Sequence, residues 1–215
     1  MVQFIHDRNP NSNEIRNKLN NITACPGTCL FIDIVNSTLI KHQTDIAEWG
    51  QKLNNTFNFL SLLNEFPDNI VKGIGDEIML YIPDEELESK TGYNNYFGLL
   101  SELYSTLYNI KNFPNNELFL DCKMSVHYCQ EAFNITFLEG ANDFYGSDID
   151  LTARLMSKAV DNRIVISEVF YNKVRDDVLG KAQIIGDTVF NLISPKYLED
   201  FKGIPNPIEY RVINV

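Results

Sequence analysis

Apolar positions along the chain alternate between two periods. The run Cys29-Leu-Phe-Ile-Asp-Ile-Val35 is almost wholly apolar, broken by one carboxylate, and short enough for a strand buried on both faces. After the cap-type residues Asn36, Ser37 and Thr38, the apolar side chains Ile46, Trp49, Leu53, Phe57 and Leu60 recur at three-and-four spacing. That spacing predicts an amphipathic helix ending before Pro67. Ile70-Val71-Lys72 and Glu77 to Ile82 read as two strands, and Gly73-Ile74-Gly75-Asp76 as the tight turn between them, with Asp76 at its tip. Leu100, Leu103, Leu107 and Ile110 predict a second helix, closed by Pro114, and residues 118–138 read as a long strand pair around Glu131.

The resulting order, β-α-β-β-α-β, is the split βαβ arrangement of ferredoxin-like sheets, an α+β class in which helices cover one face of a mostly antiparallel sheet. The other face is left to build a site or an interface. Further on, Ile149, Ala153, Met156 and Val160 mark a helix, Arg163 to Ile166 a strand, and residues 183–193 and 207–214 two late strands. Residues 1–22 are polar, with a modest period at Ile15, Leu19 and Ile22, and read as a leader or short helix. Residues 23–215 then form one domain, and no internal repeat is visible.

Composition narrows the chemistry. The 215 residues are 44% hydrophobic and 22% charged, which is ordinary globular usage. Lys+Arg 18 against Asp+Glu 29 leaves a net charge of −11, spread along the chain, which disfavours nucleic acid or an anionic lipid surface as partner. An anionic nucleotide stays open, because a divalent cation reverses the local sign. No apolar stretch approaches the ~20 residues of a membrane helix, and the first residues lack a secretory layout, so a cytoplasmic protein is expected. Cys25, Cys29, Cys122 and Cys129 read as buried or idle thiols, and Cys25-Pro-Gly-Thr-Cys29 lacks a second Cys/His pair at zinc-finger spacing. His127 reads as a satisfied, half-buried strand residue.

Three segments hold polar residues that packing alone does not require: Phe31-Ile-Asp33-Ile-Val-Asn-Ser-Thr38, Lys72-Gly-Ile-Gly-Asp76, and Asp143-Phe-Tyr-Gly146-Ser-Asp-Ile-Asp150-Leu-Thr-Ala-Arg154. Together, in this order and over roughly residues 27–195, they resemble the catalytic domain of class III nucleotidyl cyclases. The resemblance implies that Asp33 and Asp76 hold two divalent ions, Mn²⁺ or Mg²⁺, with the Ile34 carbonyl as a further ligand. The backbone amides from Val35 to Thr38, with Ser37 and Thr38, offer a seat for the triphosphate. Lys72 corresponds to the family's base-contacting lysine and Asp143 to its acceptor partner.

Such a donor–acceptor pair suits adenine, uracil or cytosine, so hydrogen bonding leaves the base open. Pocket volume is the other determinant, and Phe144 and Tyr145 are bulky enough to shorten a purine pocket. Arg154, four residues after Asp150 and on the same helix face, corresponds to the residue that stabilises charge on the transferring phosphate. The family usually has Asn where Asp150 stands, and an ionised Asp cannot donate to the ribose ring oxygen. Asp150 is then expected to bond a sugar hydroxyl or to hold Arg154 in place.

In this family the metal aspartates come from one protomer and the base, sugar and phosphate residues from the other, which implies a head-to-tail homodimer with active sites at the interface. A compact cyclase with an atypical sugar residue looks like the Pycsar pyrimidine cyclases, anti-phage enzymes that make cyclic UMP or cyclic CMP for a separate effector protein. UTP is the expected substrate. ATP cyclisation, or a catalytically silent nucleotide-binding domain, is the alternative.

Overall fold

The structure is a computed structural model that describes residues 2–3, 13–61, 67–90, 96–136, 143–179 and 189–215. In chain order its elements are β1 (Val2–Gln3), α1 (Asn13–Asn20), β2 (Gly27–Ile34), α2 (Ser37–Gln43), α3 (Ile46–Ser61), β3 (Ile70–Ile74), β4 (Glu77–Pro83), α4 (Asp84–Lys90), α5 (Tyr96–Lys111), β5 (Cys122–Cys129), β6 (Phe133–Thr136), β7 (Phe144–Tyr145), α6 (Ser147–Leu155), β8 (Arg163–Ser167), α7 (Glu168–Leu179), β9 (Tyr197–Glu199) and β10 (Ile208–Asn214). Seven strands form the main sheet in the order β3-β4-β2-β5-β8-β10-β9, antiparallel except where β5 meets β8. Its first four strands stand in the expected split βαβ order, with α3 and α5 as the crossovers.

Alternation along β2 divides the molecule. Leu30, Ile32 and Ile34 point into a core shared with Trp49 and Leu60 of α3, Leu100, Leu103, Leu107 and Ile110 of α5, and Phe170 and Val174 of α7. Cys29 and Phe31 point the other way, into a second core with Met79, Tyr81, Phe144, Ile149 and Leu155. The second face is therefore partly covered, by α6 and by the small sheet β1-β6-β7, while Asp33, Glu77 and Lys123 on the same face stay partly exposed. On the first face each fully buried Leu contributes about 1.5–3 kcal/mol, which makes this layer the stabilising one.

Several expectations need correction. Asn36 takes a left-handed backbone (φ 51°) and its side chain does not cap α2; instead Asp45 Oδ1 caps α3, accepting from the amides of Ala47 and Glu48 at 2.8 and 2.9 Å. Ile46, assigned to the apolar face, is 82% exposed in that first turn. The strand pair around Glu131 does not form, because β6 leaves the main sheet and pairs with β1 and β7. The turn between β5 and β6 is held by Asp148, whose Oδ2 accepts the amides of Gln130 and Glu131 at 2.8 and 3.1 Å. Of the expected strand 183–193, residues 183–188 lie outside the described residues; Val189–Leu192 is a 3₁₀ turn, and Ile193 makes a single bridge to Ile213. Part of the 1–22 leader and residues 137–138 also lie outside the described residues.

One irregularity in the sheet bears directly on the candidate residues. Ile70 pairs with Leu80, but Lys72 pairs with Met79, so a bulge at Val71 shifts the register by one. In a regular ladder Lys72 would share the face of Ile70 and Leu80, against the helices; the bulge sets it opposite Met79 on the second face.

The start of α6 is fixed just as tightly, by Gly146 at φ 153°, where an added Cβ would lie 2.2 Å from the Glu131 carbonyl oxygen. Gly146→Ala is therefore expected to lower stability by about 1–3 kcal/mol, read from the urea midpoint at unchanged slope. A variant as stable as the wild type would show that this contact does not set the position of α6.

Candidate functional site

Asp33, the penultimate residue of β2, lies on the second face, and the ladders place Glu77 of β4 on one side of it and Lys123 of β5 on the other. Lys123 Nζ lies 3.1 Å from Asp33 Oδ2. Asp76 sits at the β3–β4 hairpin tip, where Gly75 supplies the left-handed residue (φ 68°), and its Oδ1 is 3.3 Å from Lys41 Nζ of α2. Burial alone would raise the Asp76 pKa, but the Ser37 hydroxyl and the Lys41 ammonium outweigh it and hold the carboxyl below its ordinary value. Glu77, a residue the sequence reading passed over, is pushed up to about 7 by burial and then by the charge of Asp33, against Lys123 and with a further push from Asp76.

Three carboxylates and two ammonium groups thus share one corner of the sheet. Both aspartates have an ammonium partner, which offsets the like-charge repulsion expected between them. A cavity of about 330 Å³ lined by Val35, Asn36, Leu39, Ile40 and Lys52, among others, opens beside the loop after β2 but includes neither aspartate. The amide of Val35 is already spent on the Asp121 carbonyl at 2.9 Å, so Val35 drops out of the expected anion seat. Ser37 and Thr38 stand in the first turn of α2, whose amides the Asn36 side chain leaves uncapped. Ile34 lies in the ladder opposite Cys122 with its side chain in the first core.

Lys72, re-aimed by the bulge, places Nζ 2.8 Å from both oxygens of Asp143, the residue that leads into β7. Tyr145 completes a trio. Its ring lies 5.8 Å from Lys72 Nζ, and its hydroxyl is raised by burial, by the Asp143 charge and by a hydrogen bond to that carboxylate. Tyr145 is 39% exposed, whereas Phe144 is buried and stacked on Tyr81 at 4.0 Å between ring centroids. Phe144 is therefore a core residue, and Tyr145 alone can bound a pocket here.

Asp150 and Arg154 occupy the exposed side of α6, whose buried side, Ile149, Thr152 and Leu155, packs on the second face of the sheet. Among the described residues neither makes an ion pair, so the expected support of Arg154 by Asp150 is not formed within the chain. The helix is seated by Asp148, an acid the motif reading did not single out. Burial opposes its charge, but the facing His127 ring and the amides of Glu131 and Gln130 hold its pKa below the ordinary value. His127 also departs from expectation: it is 3% exposed rather than half-buried. All four cysteines are free, and among the described residues no helix is long and apolar enough to cross a membrane.

No protein-family model matches the chain, and no curated protein matches it. Solved structures do. The adenylyl cyclase CyaB from P. aeruginosa aligns over 91% of this chain and 96% of its own, at 16% identity and a TM-score of 0.68. The guanylyl cyclase Cya2 aligns over 89% and 93%, at 15% identity and a TM-score of 0.67. The guanylate cyclase domain of RhGC from Catenaria anguillulae, solved with GTP, aligns over 89% and 97%, at 17% identity and a TM-score of 0.63. At such low identity the likeness is one of architecture, and it covers nearly the whole chain. This α+β chain has the fold of class III adenylyl and guanylyl cyclase catalytic domains.

Proposed function

We propose that the protein is a nucleotidyl cyclase that converts a nucleoside triphosphate to its 3′,5′-cyclic monophosphate and pyrophosphate. The observation that carries this reading is the gathering on one side of the sheet of Asp33, Asp76 and the Lys72–Asp143–Tyr145 trio, with Asp150 and Arg154 exposed on α6 and without an ion pair among the described residues. In a chain of net charge −11, cations gathered on this face suit an anionic substrate. Asp33 and Asp76 are hard oxygen donors, which fits Mg²⁺ or Mn²⁺, and as strand-end and hairpin-tip residues they would hold the ions with the Ile34 carbonyl. When bound, such ions polarise phosphate oxygens and lower the pKa of the attacking hydroxyl.

In this reading the first-turn amides at Ser37 and Thr38 and the Thr38 hydroxyl bind the triphosphate, while the Ser37 hydroxyl stays on Asp76. Lys72 donates to the base and Asp143 accepts from it, while Tyr145 limits pocket depth. The 3′-oxygen forms a bond to the α-phosphorus and loses its proton to solvent as the bond to the pyrophosphate oxygen breaks. Arg154 stabilises the charge that develops on the α-phosphate, and Asp150 accepts a hydrogen bond from a sugar hydroxyl. Because Asp150 and Arg154 point outward and pair with none of the described residues, they act in the site of a second copy, as a head-to-tail homodimer requires.

The single exposed aromatic of the trio, Tyr145, favours a pyrimidine, with UTP first and an anti-phage signal to a separate effector protein as its use. The Lys72–Asp143 pair fits adenine equally well in hydrogen-bonding type, so adenylate cyclase is the second reading.

Incubation with each of the four ribonucleoside triphosphates and Mn²⁺, with products identified by mass spectrometry, tests the proposal. Cyclic UMP is expected in excess, with loss of at least about 100-fold in Asp33→Asn and Asp76→Asn, each of which removes a charged ligand. Preference for ATP by an order of magnitude would leave the reaction and remove the pyrimidine assignment. No cyclic product from any of the four would identify a silent nucleotide-binding domain.

The crowded acids also predict a pH dependence of the metal-free protein. The Glu77 pKa is raised from 4.5 to about 7, so the stability its protonation supports is complete below pH 4.5 and is lost as pH rises through 7. In chelator, Glu77→Gln should be more stable than wild type by about 1–2 kcal/mol at pH 8 and should flatten the curve between the two values. A Glu77→Gln protein less stable than wild type at pH 8 would show that the ionised carboxylate is structurally required.

A further inference from the structure

The second face carries a cluster that the proposed reaction does not use. His127 and Cys129 occupy alternate positions of β5, and Asp148 lies in the first turn of α6; one ligand atom from each lies within 4.8 Å of the other two. His127 is 3% exposed and Cys129 fully buried, yet His127 Nε2 has no hydrogen-bond partner among the described residues. It faces Asp148 Oδ1 at 3.5 Å, too far for a good N–H···O bond. Two ligands of one tetrahedral zinc ion, at about 2.0–2.2 Å each, stand about 3.4 Å apart, which is the separation seen.

Two of the three ligands, His127 and Asp148, are already oriented from behind. His127 Nδ1 lies 2.7 Å from Ser167 Oγ, which also accepts the Phe170 amide at 3.1 Å. Zinc binding through Nε2 takes the tautomer in which Nδ1–H donates to that oxygen; the Nε2 lone pair then faces a carboxylate oxygen, and a cation between the two acceptors satisfies both. Asp148 Oδ2 is occupied by the Gln130 and Glu131 amides, which leaves Oδ1 for a ligand. This is the outer support that metal-binding His and Asp residues ordinarily have. Cys29 stands opposite His127 in the β2–β5 ladder, its thiol in contact with that of Cys129, and is placed to add a fourth donor.

We propose that His127, Cys129 and Asp148 form a buried structural site for a zinc-class divalent cation. One thiolate and one carboxylate balance its two charges, so the loaded site is neutral in the interior. A donor set of sulfur and imidazole selects a borderline ion such as Zn²⁺, whereas the oxygen-only corner at Asp33 and Asp76 selects Mg²⁺ or Mn²⁺. The corner is also four residues further along β2, about 13 Å away at strand rise. The ion clamps β5 to the start of α6, so it positions the helix that bears Asp150 and Arg154 without taking part in their chemistry.

The test is the metal content of the full chain, expressed in zinc-supplemented medium, purified without chelator and measured by plasma mass spectrometry. Wild type and Asp33→Asn should each carry one zinc per chain, while Cys129→Ser and Asp148→Asn, with far-UV circular dichroism unchanged, should carry none. Cobalt-grown wild type should show a sulfur-to-cobalt charge-transfer band that Cys129→Ser lacks. If the variants do not fold, the cobalt band of the wild type decides alone. Wild type free of zinc and without that band, or variants that keep the zinc, would overturn the site, as would a Cys29–Cys129 disulfide in the intact mass.

Discussion

The contact between Asp148 and the turn after β5 is the constraint on which the polar face depends. With Oδ2 on the amides of Gln130 and Glu131, and Gly146 packed against the Glu131 carbonyl, the chain can enter α6 at only one place on the sheet. Ile149, Thr152 and Leu155 then fall on the second face, and Asp150 and Arg154 are directed outward. Asp143, just upstream, is delivered to Lys72 by the same seating. An acid to which the third motif assigns no role therefore sets the geometry of the motif's other residues.

The sheet imposes the complementary condition. Because α3, α5 and α7 consume one face, every polar group with chemistry to do must occupy the other, and strand alternation assigns Asp33, Glu77 and Lys123 to it without further specification. Lys72 is the exception that alternation would have lost. The bulge at Val71 recovers it, at the edge of the sheet where an extra residue disturbs few neighbours. In a chain of such negative charge, the cations Lys41, Lys72 and Lys123 are each drawn to a carboxylate on this surface, which keeps the acids compatible with folding in the absence of a bound ion.

Legibility from sequence followed the strength of the local signal. The β-α-β-β-α-β order, the buried faces of α3 and α5 and the hairpin tip at Asp76 all announce themselves through periodicity or turn chemistry over several residues. The departure of β6 from the main sheet did not, because a side chain eighteen residues away makes the turn and no local pattern records it. The bulge at Val71 was hidden for a related reason: Ile-Val-Lys reads as regular strand. Phe144 looked like a pocket wall because its motif placed it beside Tyr145, and only its stacking on Tyr81 assigns it to the core. His127 was judged by its strand neighbours, while its partners, Asp148 and Ser167, come from elements that follow later in the chain. Glu77, next to a residue singled out at once, could have been found from its register with Met79 and Tyr81.

The central claim is that one chain supplies two halves of different sites, the acids at Asp33 and Asp76 to one and Arg154 to another. Mixing an Asp33→Asn protein with an Arg154→Ala protein, each nearly inactive alone, measures this directly. Random exchange of subunits makes half the dimers mixed, and each mixed dimer has one intact site of two, so cyclase activity should return to about a quarter of the wild-type value. No recovery after subunit exchange has been confirmed by native mass spectrometry would place Asp33 and Arg154 in the same site and contradict the account.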